Sequence, residues 1–249
     1  DLLIAADQPI PPALIEAAKS QKLNIAQTVV FPSMVSHGGE SKLSSLKAVS
    51  ALYPLRGQLQ ISRQVHDGRV DERSIEEVTG MPPKNTVWVD PAVLISLRAK
   101  LGDSLSIGDR QFRIDAVIVR ELDRGAAFMN FAPRAMIGID DLASTGLIGF
   151  GSRVTYRFLI AGQESAINEF LLWAQKEINT KQLRGIKIEG VDNSQPLMRA
   201  TLDRAEKFLS LVAILTAMVA AVAMALAAKR YTSKQANPTA IWKCLGANK

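Results

Sequence analysis

Cysteine is almost absent: one residue, Cys244, in 249. No disulfide can therefore close within the chain. Histidine is nearly as scarce, with His37 and His66 alone. Neither has a second histidine or a cysteine nearby, which excludes the usual zinc spacings, and each reads as a surface loop residue. Neither histidine lies in a motif that would point to a Ser-His-acid triad. No Gly-x-x-x-x-Gly-Lys-Ser/Thr loop occurs, since "GDSLSIGDR" lacks both the lysine and the spacing. "GFGSR" is not the Gly-x-Ser-x-Gly of a nucleophile elbow. Glu76/Glu77 and Asp140/Asp141 are chain neighbours and read as solvated faces or caps. No catalytic, metal-binding or cofactor-binding residue is expected in this chain, and hence no enzyme.

Acidic residues are missing from the last 21 positions, where Lys229, Arg230, Lys234, Lys243 and Lys249 carry +5 of the total +6. The remaining 228 residues are close to neutral, a distribution unlike that of a nucleic-acid binder. Apolar residues at 47% and charged residues at 22% fit a globular body. The length suffices for one large domain or two modest ones.

Charge is also absent from Phe208 to Ala228, "FLSLVAILTAMVAAVAMALAA", where Ser210 and Thr216 alone are polar. As a helix these residues extend about 31 Å, close to the hydrocarbon thickness of a bilayer. A buried helix of a soluble core is the alternative, but such helices keep a polar side and this one has none. The run is thus expected to span a membrane. Its alanines suit close packing against other membrane helices. Five cations follow the run and mixed charge precedes it. The positive-inside preference then places residues 229–249 in the cytoplasm and 1–207 outside. Cys244 falls on the reducing side.

The body before the run alternates strands and helices. "DLLIAA" reads as a strand, and "PPALIEAAKSQ" as a helix opened by proline with Leu14, Ile15 and Ala18 on one face. "LNIAQTVVF" is a strand, "PSMVSHGGESK" a loop, and "LSSLKAVSALY" and "GQLQISRQV" a pair of strands. The texture changes from about Gly68 to Gly151. There "TVWV" is a strand, Asp90 with Pro91 starts a helix, and Gly102 closes it. "DSLSIGDRQFRIDAVIV" reads as a hairpin turning at Gly108-Asp109, with Ile107, Phe112, Ile114 and Val117 beside the turn. After Ser152 come the strand "RVTYRFLIA", a helix with Ile167, Phe170, Leu171, Ala174 and Ile178 on one side, and the strand "IKIEGV". The fold expected is α+β: a split βαβ sandwich in two parts, 1–67 and 152–195, around a small β-rich insert, 68–151. From Pro196 the pattern is helical straight into the apolar run, with 196–207 as a stalk. In "DRGAAFMNFAPR", Phe128, Met129 and Phe131 either plug the core of the insert or form an apolar surface for an amphiphilic ligand or partner.

The order of these parts, ending in "KRYTSKQANPTAIWKCLGA", resembles ABC-transporter permeases of the MacB/FtsX/lipoprotein-release superfamily. The match is to their large, porter-like extracytoplasmic domain and second membrane helix. The stretch from "VWVDPAVLISL" to "RVTYRFLIAG" is most similar to the YbbP-type branch. The resemblance covers nearly the whole chain. It implies a bacterial inner-membrane protein with residues 1–207 periplasmic and 229–249 a cytoplasmic coupling segment. In such permeases a coupling helix docks on a separate ATPase subunit, which holds the ATP and magnesium. Here the matching residues are Ala240, Ile241, Trp242, Lys243, Leu245, Gly246 and Ala247. Their chemistry fits independently: Ile241 and Leu245 share a helical face, Trp242 is a large interface anchor, and Gly246 can end a helix. A juxtamembrane linker with an interfacial tryptophan and snorkelling lysines is the plainer reading. "KQANP" departs from the arginine-rich stretch common in the family. The resemblance further implies a membrane helix before Asp1 and more after Lys249, or a second permease half. It also implies a hydrophobic or lipid-like cargo and a soluble lipid-hydrolysing or accessory protein outside. An FtsX-like regulator of an outer hydrolase and a single-pass sensor with an outer ligand domain are the alternatives.

Overall fold

Leu2–Ala6 (β1) starts the chain with alternating buried and half-buried side chains, as a strand covered on one face requires. The computed structural model describes residues 2–66, 69–124, 132–149, 151–183, 185–190 and 196–244. The chain divides into two units, Asp1–Asp192 and Asn193–Lys249.

In the first unit, α1 (Pro12–Ser20) begins at a proline, whose missing N–H costs a first turn nothing, and buries Leu14 and Ala18. The long strands β2 (Asn24–His37) and β3 (Glu40–Val49) follow. Then come β4 (Leu59–Ser62), the two-residue strands β5 (Val65–His66) and β6 (Arg69–Val70), β7 (Ile75–Val78) and β8 (Thr86–Val89). In α2 (Pro91–Leu97) the Asp90 carboxylate accepts from the Ala92 N–H at 3.0 Å, the cap expected there. β9 (Ser104–Ile107) and β10 (Arg110–Arg120) form the expected hairpin, and Ile107, Phe112, Ile114 and Val117 are all buried. The unit is completed by β11 (Arg134–Gly138), the short α3 (Ile139–Leu142), β12 (Thr155–Ala161), α4 (Glu164–Thr180) and β13 (Ile186–Gly190).

Eleven strands share one mixed sheet in the order β13-β1-β12-β2-β3-β11-β8-β10-β4-β7, with β9 bridging β10 and β2. The pairs β3/β11 and β8/β10 are parallel; the others are antiparallel. One sheet therefore runs through both flanking pieces and the region between them. Two hydrophobic cores lie on one face. Leu2, Ile4, Phe158 and Ile160 pack with Leu14, Ala18, Phe170 and Ala174 from α1 and α4. Val29, Phe31, Leu46 and Val87 pack with Val93, Leu94 and Leu97 from α2 and with Leu142. The opposite face buries Tyr53, Trp88, Ile61 and Met136.

Four expectations need correction. "PSMVSHGGESK" is not a loop: β2 continues to His37 and turns into β3 through Gly38 and Gly39 alone, both at positive φ, the backbone of a two-residue hairpin. Pro32 is tolerated because it lies beyond the last β12 contact at Val30 and before the first β9 contact at Val35, where β2 has a single neighbour. β3 and β4 do not pair with each other, since β3 lies between β2 and β11, and β4 between β10 and β7. Alternation reports which face a residue takes, not which strand lies beside it. α2 ends at Leu97, where Arg98 takes the left-handed conformation, and Gly102 belongs to the next turn. His37 and His66 lie in strands: His37 ends β2, with Nδ1 2.9 Å from the Ser104 carbonyl and Nε2 3.6 Å from Asp103.

The second unit contains α5 (Pro196–Cys244), 49 residues long, about 73 Å at the standard rise. Within its segment Ala205–Ser233 an 18-residue stretch reaches a mean hydropathy of 2.6. By length and composition this is the one helix among the described residues suited to cross a membrane.

Candidate functional site

Lys47 is the least expected residue in the sheet. It occupies the middle of a stretch buried from Ser44 to Val49, and its side chain is 1% exposed. A lone buried ammonium is untenable, and four acceptor atoms on three side chains surround it. Its Nζ donates to Glu121 Oε1 at 2.7 Å, to both Asp123 oxygens at 2.8 Å and to Tyr53 Oη at 2.6 Å. It also lies 4.3 Å from the centre of the Tyr53 ring. Tyr53 Oη donates to Asp123 Oδ1. Arg134, paired in register with Ser45, donates through Nε to Glu121 Oε2 at 2.9 Å and through a terminal nitrogen to Ser45 Oγ at 2.5 Å. Two cations thus meet two carboxylates around one phenol, with every charge hydrogen-bonded.

Protonation follows from this geometry. Burial, then the Asp123 and Glu121 charges, push the Tyr53 hydroxyl far above the ordinary phenol range, so it stays neutral. Burial acts to raise Asp123 as well. The Lys47 charge outweighs it, together with hydrogen bonds from Lys47 and Tyr53, and holds Asp123 below the usual carboxylate range. A charged lysine between carboxylates and a neutral phenol make a poor nucleophile and a poor base. The cluster works instead as a clamp. Glu121 and Asp123 follow the end of β10, and Arg134 begins β11. Arg124 adds bonds to Asp90 Oδ2 at 2.9 Å and to the Ala132 carbonyl at 3.2 Å. Both ends of the connection between β10 and β11 are thereby tied to the sheet.

Phe128, Met129 and Phe131, the candidate apolar surface, belong to that connection and lie outside the described residues. Of the candidate docking residues, Ala240, Ile241, Trp242 and Lys243 fall within the backbone of α5, and Leu245, Gly246 and Ala247 lie outside the described residues. Among the described residues no group of three or more His, Cys, Asp or Glu could hold a metal ion. Sequence reading missed the clamp. Its one trace is a lysine and an arginine standing in otherwise apolar strands, Lys47 in "LKAV" and Arg134 in "RAMIG".

No family model matches the sequence. An Escherichia coli (strain K12) protein, described as the uncharacterized ABC transporter permease YbbP, is 28% identical over 250 residues. That match takes in 100% of this chain and 29% of the relative, so the chain spans about three tenths of the relative's length. Among solved structures, the periplasmic region of MacB from Actinobacillus actinomycetemcomitans aligns with 80% of this chain and 92% of its own, at 13% identity and a TM-score of 0.46. The extracellular domain of the noncanonic ABC-type transporter YknZ from Gram-positive bacteria aligns with 76% and 100%, at 13% identity and a TM-score of 0.47. A mixed-sheet unit and one long apolar helix, matched along the whole chain by part of a permease sequence, make this chain similar to a segment of an ABC-transporter permease. Its sequence similarity runs to the YbbP permease over that stretch.

Proposed function

We propose that this chain is the part of a permease that receives ATP-driven motion from a separate ATPase subunit and carries it to a domain outside the cell membrane. Residues 229–249 dock on the ATPase through Ile241, Trp242 and Leu245, α5 crosses the bilayer, and residues 1–192 act on a hydrophobic or lipid-like substrate, extruding or releasing it. ATP and magnesium belong to the partner subunit, and the remaining membrane helices come from the rest of the permease or a second half. Phe128, Met129 and Phe131 offer an apolar surface to substrate or to an accessory protein outside. The observation that carries the reading is the continuity of α5, one helix from Pro196 through the apolar segment into the basic tail. A helix passes displacement along its axis, whereas a flexible linker dissipates it.

Leu245→Asp and Trp242→Ala, placed in the intact permease with its ATPase, test the docking. Desolvating a carboxylate at an interface is costly. The Leu245→Asp variant is therefore expected to lose co-purification with the ATPase and stimulation of ATP hydrolysis while the permease remains folded. Unchanged recovery of the complex and unchanged stimulation would contradict the assignment.

A further inference from the structure

The two cores on the helix-covered face of the sheet do not meet. α1 and α4 close over β1 and β12, α2 and α3 close over β3, β8 and β11, and a cleft of about 460 Å³ remains between them. Pro9 and Ile10 form one wall, while Ile139, Leu142, Ala143 and Ile148 form the other. The floor is β2 and β12, where Val29 and Tyr156 pair in register and Gln27 lies two residues along. Strand alternation turns Gln27, Val29 and Tyr156 toward the cleft. It sends Thr28 and Arg157, which also border it, to the opposite face, where Arg157 acts on Asp123. Among the described residues, the cleft therefore has apolar walls, no charged side chain directed into it, and two neutral polar groups on its floor. Neither the Gln27 amide nor the Tyr156 hydroxyl has a hydrogen-bond partner among the described residues. Partial burial raises Tyr156 above the ordinary phenol range, leaving it a neutral donor.

We propose that this cleft binds one single-chain amphiphile drawn from the bilayer, its alkyl chain between the two walls and its uncharged hydroxyl or ester head on Gln27 and Tyr156. The volume lies in the lower part of the roughly 300–1,000 Å³ range of small-molecule sites, sized for one chain rather than the two of a phospholipid. The lack of a facing charge disfavours a fatty acid or a phosphorylated head, whose ionised group would lose its hydration without a partner. The chain also carries a helix suited to cross a membrane, which keeps the protein among such amphiphiles. This inference rests on the transport reading and gives it a substrate class and an entry site.

The test uses the permease reconstituted in phosphatidylcholine nanodiscs containing a diazirine-bearing monoacylglycerol, with crosslinks mapped by mass spectrometry and no ATP present. Labels are expected on peptides carrying Ile10, Val29 and residues 139–148. Ala143 and Ile148 are exposed at the cleft and not part of the core, so both positions tolerate change. Ala143→Trp, which fills the cleft, and Ile148→Asp, which charges its rim, should each lower that labelling at least about fivefold. Tyr156→Phe should weaken it severalfold, and a diazirine fatty acid should label far less than the monoacylglycerol. Labelling confined to α5, or cleft labelling undiminished in both Ala143→Trp and Ile148→Asp, overturns the site. Stronger labelling by the fatty acid overturns the uncharged head. Absent cleft labelling with normal ATPase coupling refutes this site alone, and the reverse pattern refutes the transport reading alone.

Discussion

A single lysine decides how the β10–β11 connection meets the sheet. Removing one partner from a buried ion pair strands the others, at a cost of about 3–5 kcal/mol. Lys47→Met is thus expected to destabilise the first unit by about that amount, read as a lowered thermal midpoint in near-ultraviolet circular dichroism. A loss under about 1 kcal/mol would show that the cluster is already hydrated and screened. The pH dependence has a definite sign. Asp123 is held below its unfolded value, so its contribution is complete above the ordinary Asp value of about 3.9 and is lost as pH falls through the lower folded value. Acid titration of the Asp123→Asn variant should remove a stability decrease that the parent shows in that window. Little of this was legible beforehand. Lys47 and Glu121 are 74 positions apart, and only the parallel placement of β11 beside β3 brings Arg134 to Ser45 and both to the end of β10. Charge in an apolar strand can be seen in a sequence, but its partner is a property of topology.

Elements with local determinants were readable, and those depending on a distant partner were not. The Asp90-Pro91 helix start and the Gly108-Asp109 hairpin follow from side-chain capping and turn geometry within a few residues, and both stand in the structure. The β2–β3 hairpin was misread because Pro32 and the paired glycines look like loop punctuation. Proline is harmless there only because β12 has left and β9 has not yet arrived. The 460 Å³ cleft was invisible for the same reason, its walls coming from segments more than 100 residues apart. α5 was the opposite case, a single stretch whose composition alone marks it. A cation in mid-span should disfavour insertion by about 2.5–3.5 kcal/mol. Val219→Arg is expected to reduce the membrane-integrated fraction in carbonate extraction, while a Val219→Leu control leaves it unchanged. Equal extraction of both variants would argue that α5 lies elsewhere than in lipid.

For the molecule as a whole, every functional statement depends on which compartment each unit occupies. In the proposed topology the +5 tail that follows the apolar run puts residues 229–249 in the cytoplasm and the mixed-sheet unit outside. Docking at Trp242 and Leu245, transmission along α5 and amphiphile capture between the two cores all require that arrangement. Cys244, the chain's lone cysteine, lies within the tail and reports on it directly. The deciding measurement is labelling of Cys244 by a membrane-impermeant maleimide, in cells with an intact plasma membrane and again after permeabilisation. Protection in the intact cells followed by full reaction once the membrane is opened is the expected result. Reaction at Cys244 before permeabilisation would place the tail outside and contradict the account.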